Sequence, residues 1–371
     1  MSCCVGISVW TEVLLNKFLF SRATYNLCTD YAYRGLPIAP GTLTGGLKQI
    51  APLCNGLISR FVEKQLTEEL FHNDETGWKV FEAIEGKVGY RWWLWVTQSS
   101  SVVYYAMAPS RSGDLPIDYF SGLDQRLEQV IVGCDRDSGY KRLARENPVI
   151  LLAFCWAHLR RDVLDAAKSW PDLQAWMLSW VEMIGELYHL NAQRLEHWDE
   201  AQALADQTPA FRQRHQALEQ AMQQMSARCD QALEKEGLHV AQREGLNSLN
   251  NHWLGLSVFV QSPQVPMDNN TAERRMRNPG MGRKNDYGSG RQWSAKLAAM
   301  MFSLFQTLRL WKLNPHHWRY RYLTACAGNG GQPPADLGPF IPWQMSDERQ
   351  QQLAKPMPMT GADPPLQISP V

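Results

Sequence analysis

No stretch of this sequence approaches the roughly 18 consecutive apolar residues that a membrane-spanning helix needs. The opening segment, Met1 to Phe20, is interrupted by Glu12, Asn16 and Lys17 and lacks the basic-then-apolar order of a secretory signal, so neither export nor membrane insertion is expected. Patterned cysteines are missing as well. Cys3, Cys4, Cys28, Cys54, Cys134, Cys155, Cys229 and Cys326 show no C-x-x-C and no disulfide-like spacing, which fits a reducing cytoplasm. Nor is there a net charge: 37 Lys and Arg balance 37 Asp and Glu, so the whole-chain value neither favours nor excludes a polyanionic partner. A Gly-rich phosphate loop, a G-x-S-x-G elbow and an H-E-x-x-H helix are also absent, which removes the nucleotide hydrolases, esterases and zinc proteases built on them.

What the 371 residues do hold is ordinary apolar content, enough for one large core or two moderate ones. Charge is uneven along the chain. From Asp162 to Glu236 acids outnumber bases by about two to one, whereas from Met267 to Arg321 bases outnumber acids by more than about three to one. A nucleic-acid surface, if present, includes the second region.

Leu43, Leu47, Ile50, Cys54, Leu57 and Phe61 recur at helical spacing after Thr42, a candidate cap, so the first seventy residues read as helical. The period then changes. Phe71 to Phe81, Tyr90 to Thr97 and Val102 to Ala108 are rich in Trp, Tyr, Val and Phe, with turn residues Glu85-Gly86 and Ser99-Ser100 between them, which predicts a three-stranded antiparallel meander. Val130-Ile131-Val132 and Val149 to Phe154 are short apolar runs feeding polar, helix-compatible sequence, the pattern of buried parallel strands. Together these predict an α/β fold with a five-stranded mixed sheet. From Asp162 to about Gly245 strand-like runs are absent and an all-helical insertion is predicted; Ser294 to Trp311 reads as a core-packing helix ending before Pro315. Beyond Ala327 the chain is rich in Gly and Pro, and after Phe340-Ile341-Pro342-Trp343 a loosely ordered tail is expected.

Three acids draw attention within this frame. Asp74 lies in the first strand among Phe, Trp and Val; it is either a solvent-facing strand residue or a functional acid, with Glu75 as its rival on the opposite face. Asp135 ends the run Val130 to Cys134, and the carboxyl end of a buried strand is a common site position in open α/β sheets; a turn-initiating role before Ser138-Gly139 is the alternative, and Asp137 can replace it in either role. Glu273 follows Asp268-Asn269-Asn270-Thr271-Ala272. A capping box built on Asn270 would explain it, but not the Arg274, Arg275, Arg277, Arg283 and Lys284 that follow, which suit a phosphate-binding surface. Pro279-Gly280 is expected to break the helix there. Three carboxylates from two strands and a helix can hold two hard divalent cations about 4 Å apart, the arrangement of phosphoryl-transfer sites. Cys155-Trp156-Ala157-His158 has no second Cys or His pair at zinc spacing, so it reads as a buried Cys and a structural His before Arg160-Arg161.

Taken in order, these segments resemble the insertion sequence 66 family of bacterial transposases over nearly the whole chain. Asp74-Glu75-Thr76 is similar to the family's first acidic motif, Pro109-Ser110-Arg111 follows the sheet as it does there, and Cys134-Asp135 with Ser138-Gly139-Tyr140 is similar to the second acidic motif. Cys155 to Arg161 resembles the family's C-x-A-H-x-R-R segment. Asp268-Asn269-Asn270-Thr271-Ala272-Glu273-Arg274, with Arg277 and Gly282-Arg283-Lys284-Asn285, resembles the third acidic motif and its basic continuation, and Tyr322-Leu323 and Ile341-Pro342-Trp343 are similar to the closing segments. Two differences stand out. The family's amino-terminal DNA-recognition region is not visible, and Arg136-Asp137 stands where the family has Gly-Tyr.

The resemblance implies a ribonuclease-H-like core with a helical insertion before the third acid. It divides the chain into a helical segment (1–68), the first part of the core (69–161), the insertion (162–250), the rest of the core (251–326) and the tail (327–371). It also implies a DDE-type catalytic triad of Asp74, Asp135 and Glu273 holding two Mg²⁺ or Mn²⁺ ions, with Asn269, Asn270, Arg274, Arg277, Arg283 and Lys284 on the DNA. The expected partners are transposon ends and target DNA, accessory element-encoded proteins and further copies of the chain. Two other classes share these features: a DNA-binding remnant without catalysis, and a ribonuclease-H-like nuclease outside transposition.

Overall fold

A computed structural model of the chain describes residues 5–356. In chain order it contains α1 (Ile7–Leu14), extended by a π-helical turn over Leu15–Leu19, then α2 (Thr24–Tyr33), α3 (Pro40–Ile50) and α4 (Asn55–Gln65). Next come β1 (Leu70–Lys79), β2 (Arg91–Gln98), β3 (Val103–Ala108), α5 (Asp114–Phe120), β4 (Val130–Cys134), α6 (Ser138–Glu146), β5 (Ile150–Phe154) and α7 (Trp156–Ser169). Helices α8 (Gln174–Leu195), α9 (Pro209–Leu233), α10 (Val240–Asn251), α11 (Trp253–Gln261), α12 (Asn270–Asp286), α13 (Gln292–Leu310), α14 (Pro315–Gly328) and α15 (Asp347–Ala354) follow.

The fold is α/β, and its one five-stranded mixed sheet has the order β3-β2-β1-β4-β5, as expected for a ribonuclease-H-like core. β2 and β3 pair antiparallel, while β4 pairs parallel with both β1 and β5. All five residues of β4 are buried, which is why the run Val130 to Cys134 shows no polar alternation. The described residues divide into two compact units. One takes those up to Leu66, Glu75–Ser110 and those from Arg275 onward; the other takes Thr67–Asp74 and Arg111–Arg274.

In the first unit α13 lies against β3, the sheet's edge. Ser303 Oγ accepts the Tyr105 N–H at 2.8 Å, and Thr307 Oγ1 accepts the Val103 N–H at 3.0 Å, so outward-facing ladder groups are satisfied by helix side chains. Leu43, Leu47, Ile50, Cys54, Leu57 and Phe61 are all buried, as their spacing predicts. Thr42, however, lies inside α3: the helix starts at Pro40, whose fixed φ and missing N–H suit the first helical position. A second correction concerns Pro279, which does not break α12. Proline deprives the carbonyl four residues earlier of its N–H donor, and the Tyr105 hydroxyl replaces it, donating to the Arg275 carbonyl at 2.9 Å. The tail differs too. Ser346 caps α15, Leu353 is fully buried, and Asn314 N–H donates to the Leu353 carbonyl at 2.9 Å, so order continues past Trp343; residues 357–371 lie outside the described residues.

In the second unit the helices predicted as an insertion share an apolar cluster with the strands. Trp180, Ile184 and Leu187 of α8 and Leu218, Met222 and Met225 of α9 pack with Ile131, Ala153, Trp156 and Phe259. Buried within it is Arg194, which donates to the Val260 carbonyl at 2.7 Å and the Phe259 carbonyl at 2.9 Å, closing the last turn of α11. Burial pushes its guanidinium down to about 10, so the cation persists at neutral pH. Gly255 brings α11 close to β5: a Cβ there would stand 2.4 Å from the Phe154 ring and 2.9 Å from the Leu152 carbonyl.

The compensation at Pro279 can be measured. Tyr105→Phe is expected to cost about 1–2 kcal/mol in urea denaturation, the value of a carbonyl left without its donor. In a Pro279→Ala background, where residue 279 regains its N–H, the same change should cost clearly less, and equal costs in both backgrounds would refute the account.

Candidate active site

Parallel pairing of β1 with β4 sets Leu70 opposite Ile131, Phe71 opposite Val132 and His72 opposite Gly133. The paired segment ends at His72 and Gly133, two residues before Asp74, which lies midway along β1, and Asp135, which directly follows the carboxyl end of β4. Both aspartates are half-buried, while Glu75 belongs to the other face of β1. Gly133 is required here, because a Cβ would stand 3.0 Å from His72 Nδ1. Burial pushes the His72 imidazole down to about 4, an effect that the Asn269 side chain and then the charge of Asp268 offset only in part.

Beyond β4 the chain turns through hydrogen bonds of its own acids. Asp135 Oδ1 accepts the Asp137 N–H at 2.9 Å, and Asp137 Oδ1 accepts the Gly139 N–H at 2.8 Å, capping α6. Asp137 is therefore a capping residue. Arg136 turns away toward Asp162 and Ser248. Gly113, at φ 84°, packs so tightly on α6 that a Cβ would come within 2.9 Å of Gly139 Cα. That approach sets the adjacent Arg111 with Nη2 at 3.2 Å from Asp137 Oδ2 and 3.9 Å from Asp135 Oδ2.

Glu273 reaches the same end of the sheet through the segment ahead of α12. The Trp156 N–H donates to the Met267 carbonyl at 2.9 Å, the Asn269 N–H to Cys155 Sγ at 3.2 Å, and Asn269 Nδ2 to the Asn73 carbonyl at 2.6 Å. The helix then begins, with the Glu273 N–H on the Asn269 carbonyl at 3.1 Å. Its first turn is closed by Asp268, whose Oδ1 accepts the Asn270 N–H at 3.0 Å, so Glu273 is not the acid of a capping box. Instead Glu273 Oε1 is buried and faces His158 Nδ1 at 3.6 Å, and neither atom has a hydrogen-bond partner. Buried polar atoms without partners recur around it, at His72 Nδ1, both side-chain polar atoms of Asn73, and Asn269 Oδ1. Such groups are costly in a framework and concentrate where chemistry is done. Tyr188 of α8 lies in the field of Asp268, Cys155 and Glu273, and burial, aided by those charges, pushes its phenol up.

Among the described residues, Cys155, His158 and Glu273 each bring one ligand atom within 4.8 Å of the others. The three acids are not gathered that tightly: Asp135 turns to Asp137 and Arg111, and Glu273 to His158. Of the residues expected on DNA, Asn270, Arg274, Arg277 and Lys284 are exposed. Arg283 is half-buried, with Nη1 on the Thr76 hydroxyl at 3.1 Å and on the Gly77 carbonyl. Asn269 is 2% exposed and committed to Asn73, so it belongs to the framework rather than to a DNA-facing surface. Sequence reasoning passed over His158 and Arg111 as site neighbours. For His158 the signal was its spacing from Cys155, set aside because no second Cys or His pair stands at zinc spacing; Arg111 had only its place in the Pro109-Ser110-Arg111 motif.

A family model described as "Transposase IS66 family" matches residues 2–297. Three proteins of Sinorhizobium fredii are similar along most of the chain. Uncharacterized protein y4jD is 24% identical, covering 92% of this chain and 66% of its own length. Uncharacterized protein y4hP is 22% identical over 92% and 62%, and uncharacterized protein y4qI 24% identical over 91% and 62%. The chain thus spans just under two thirds of the length of these relatives.

Asn269→Ala is expected to lower stability by about 1–3 kcal/mol in urea denaturation, because the buried Asn73 carbonyl loses its donor. A variant as stable as the parent would show that this bond does not hold the junction together.

Proposed function

The chain belongs to the IS66 family of transposases, and from that membership we propose that it carries the catalytic centre of a DNA transposase that cuts strands at transposon ends and joins the freed 3′-hydroxyl to target DNA. What supports this most is the Asn269–Asn73 bond, which ties the start of the helix carrying Glu273 to the residue before Asp74, together with the place of Asp135 directly after β4. Carboxylate oxygens from two strands and a helix suit hard cations such as Mg²⁺ or Mn²⁺, and the partnerless Glu273 Oε1 is an available donor. Asp74, Asp135 and Glu273 would hold two ions. When bound, such a pair acidifies the attacking water or 3′-hydroxyl and offsets charge on the leaving 3′-oxygen.

The chain's own residues do the positioning. The Asn269 clasp fixes the start of α12 against β1, and the half-buried setting limits water at the acids. Arg274, Arg277 and Lys284 are exposed cations that attract the phosphate backbone, and Arg283 and Asn270 extend that contact. The partners are DNA at transposon ends and targets, accessory element-encoded proteins, and further copies of the chain on DNA. No helix among the described residues is long and apolar enough to cross a membrane, and the reading puts the chain in the bacterial cytoplasm.

The test uses the full chain, Mn²⁺ and DNA bearing the inverted repeats that flank its coding sequence. Nicking and joining are expected, and Asp74→Ala, Asp135→Asn and Glu273→Ala should each lower the rate by roughly a hundred- to ten-thousand-fold, the several kcal/mol that metal catalysis contributes. Salt-dependent DNA binding without metal-dependent nicking would instead identify a binding remnant, and cut but never joined ends a nuclease.

A further inference from the structure

Cys155 directly precedes α7 and His158 lies in its first turn, so a three-residue spacing puts both on one side of the helix end. Glu273 comes from the first turn of α12, more than a hundred positions later in the sequence. Burial pushes the Cys155 thiol up, and backbone N–H groups aimed at the sulfur offset that only in part. The Asn269 N–H donates to it at 3.2 Å, the N–H groups of Ala157 and His158 also bond to it, and all act at a helix amino terminus. Across from it, His158 Nδ1 and Glu273 Oε1 face each other at 3.6 Å with no hydrogen-bond partner for either. Tetrahedral coordination with bonds of about 2.0–2.3 Å separates neighbouring donors by about 3.3–3.7 Å, so this pair already has coordination spacing.

We propose that Cys155, His158 and Glu273 form a three-ligand site for one thiophilic divalent cation of the Zn²⁺ class, and that a cation there withdraws Glu273 from the acidic triad. The donor set separates this site from the one proposed above. Sulfur and imidazole suit Zn²⁺, Co²⁺ or Cd²⁺, whereas Mg²⁺ demands oxygen. A thiolate, a carboxylate and a neutral imidazole balance a double positive charge. Three protein ligands leave the fourth position to water, as in exchangeable rather than closed structural sites. Binding is a ligand exchange without redox change: the Cys155 thiol proton leaves to solvent as the sulfur–metal bond forms. Only the competition for Glu273 rests on the transposase reading; the coordination does not.

Co²⁺ titration of the metal-stripped full chain tests the coordination without DNA. One equivalent is expected to give thiolate-to-cobalt absorption in the near ultraviolet and the visible bands of a tetrahedral site, abolished by Zn²⁺ and unaffected by Mg²⁺. Cys155→Ser should remove the thiolate band, and His158→Ala, a change at a half-buried position, should weaken Co²⁺ binding more than about tenfold. A missing thiolate band in the parent chain, or one of full strength in Cys155→Ser, overturns the proposal. Zn²⁺ at the level that saturates the cobalt site is further expected to suppress Mn²⁺-supported nicking at least about tenfold, and undiminished nicking would overturn the competition. If no nicking occurs at all, the transposase reading fails while the spectra still decide the site.

Discussion

One side chain ties the proposed centre together. Asn269 donates from its amide to Asn73 of β1 and from its backbone to the sulfur that precedes α7, so a single residue links the strand of the first acid, the helix that follows β5, and the helix of the third acid. The parallel ladder supplies a second constraint, because a one-residue slip of β1 against β4 would turn the side chains of β1 to the opposite face. Geometry in this part of the molecule is thus held by backbone-directed hydrogen bonds. Two of the acids add little to it: Asp135 makes a local turn, and Glu273 Oε1 makes no hydrogen bond.

Much of the architecture was legible because burial writes itself into residue choice. Val130 to Cys134 is uniformly apolar since both faces of β4 are covered, and the aromatic-rich runs of β2 and β3 bend back through Ser99, whose N–H meets the Val102 carbonyl at 2.9 Å. What escaped was long-range compensation. Local rules say that Pro279 ends a helix, and only the fold reveals that Tyr105, far away in sequence, supplies the missing donor to Arg275. In the same way, Ser346 and Leu353 look like tail until Asn314 is seen to bond the Leu353 carbonyl.

The candidate site divides along the same line. Asp74, Asp135 and Glu273 could be singled out from strand ends, neighbouring cations and resemblance. The resemblance instead offered Asn269 for DNA, and local sequence offered His158 for a structural role. Asparagine in a basic motif looks like a phosphate ligand until it is found 2% exposed, and histidine beside an apolar strand looks structural until its ring nitrogen is found facing an acid from another helix. Neither assignment is available to spacing, because each depends on a partner far away in the sequence, the Asn73 carbonyl for one and the Glu273 side chain for the other.

Both margins of the sheet are closed by helices. Ser303 and Thr307 occupy the hydrogen-bonding groups of β3, and α11 crowds β5 at Gly255 so closely that even a methyl group would collide. Open strands invite other chains to zip onto them, the route to misassembly and fibrous aggregates. With the β3 groups met from within and β5 crowded by a helix, neither margin offers another chain a free ladder to extend.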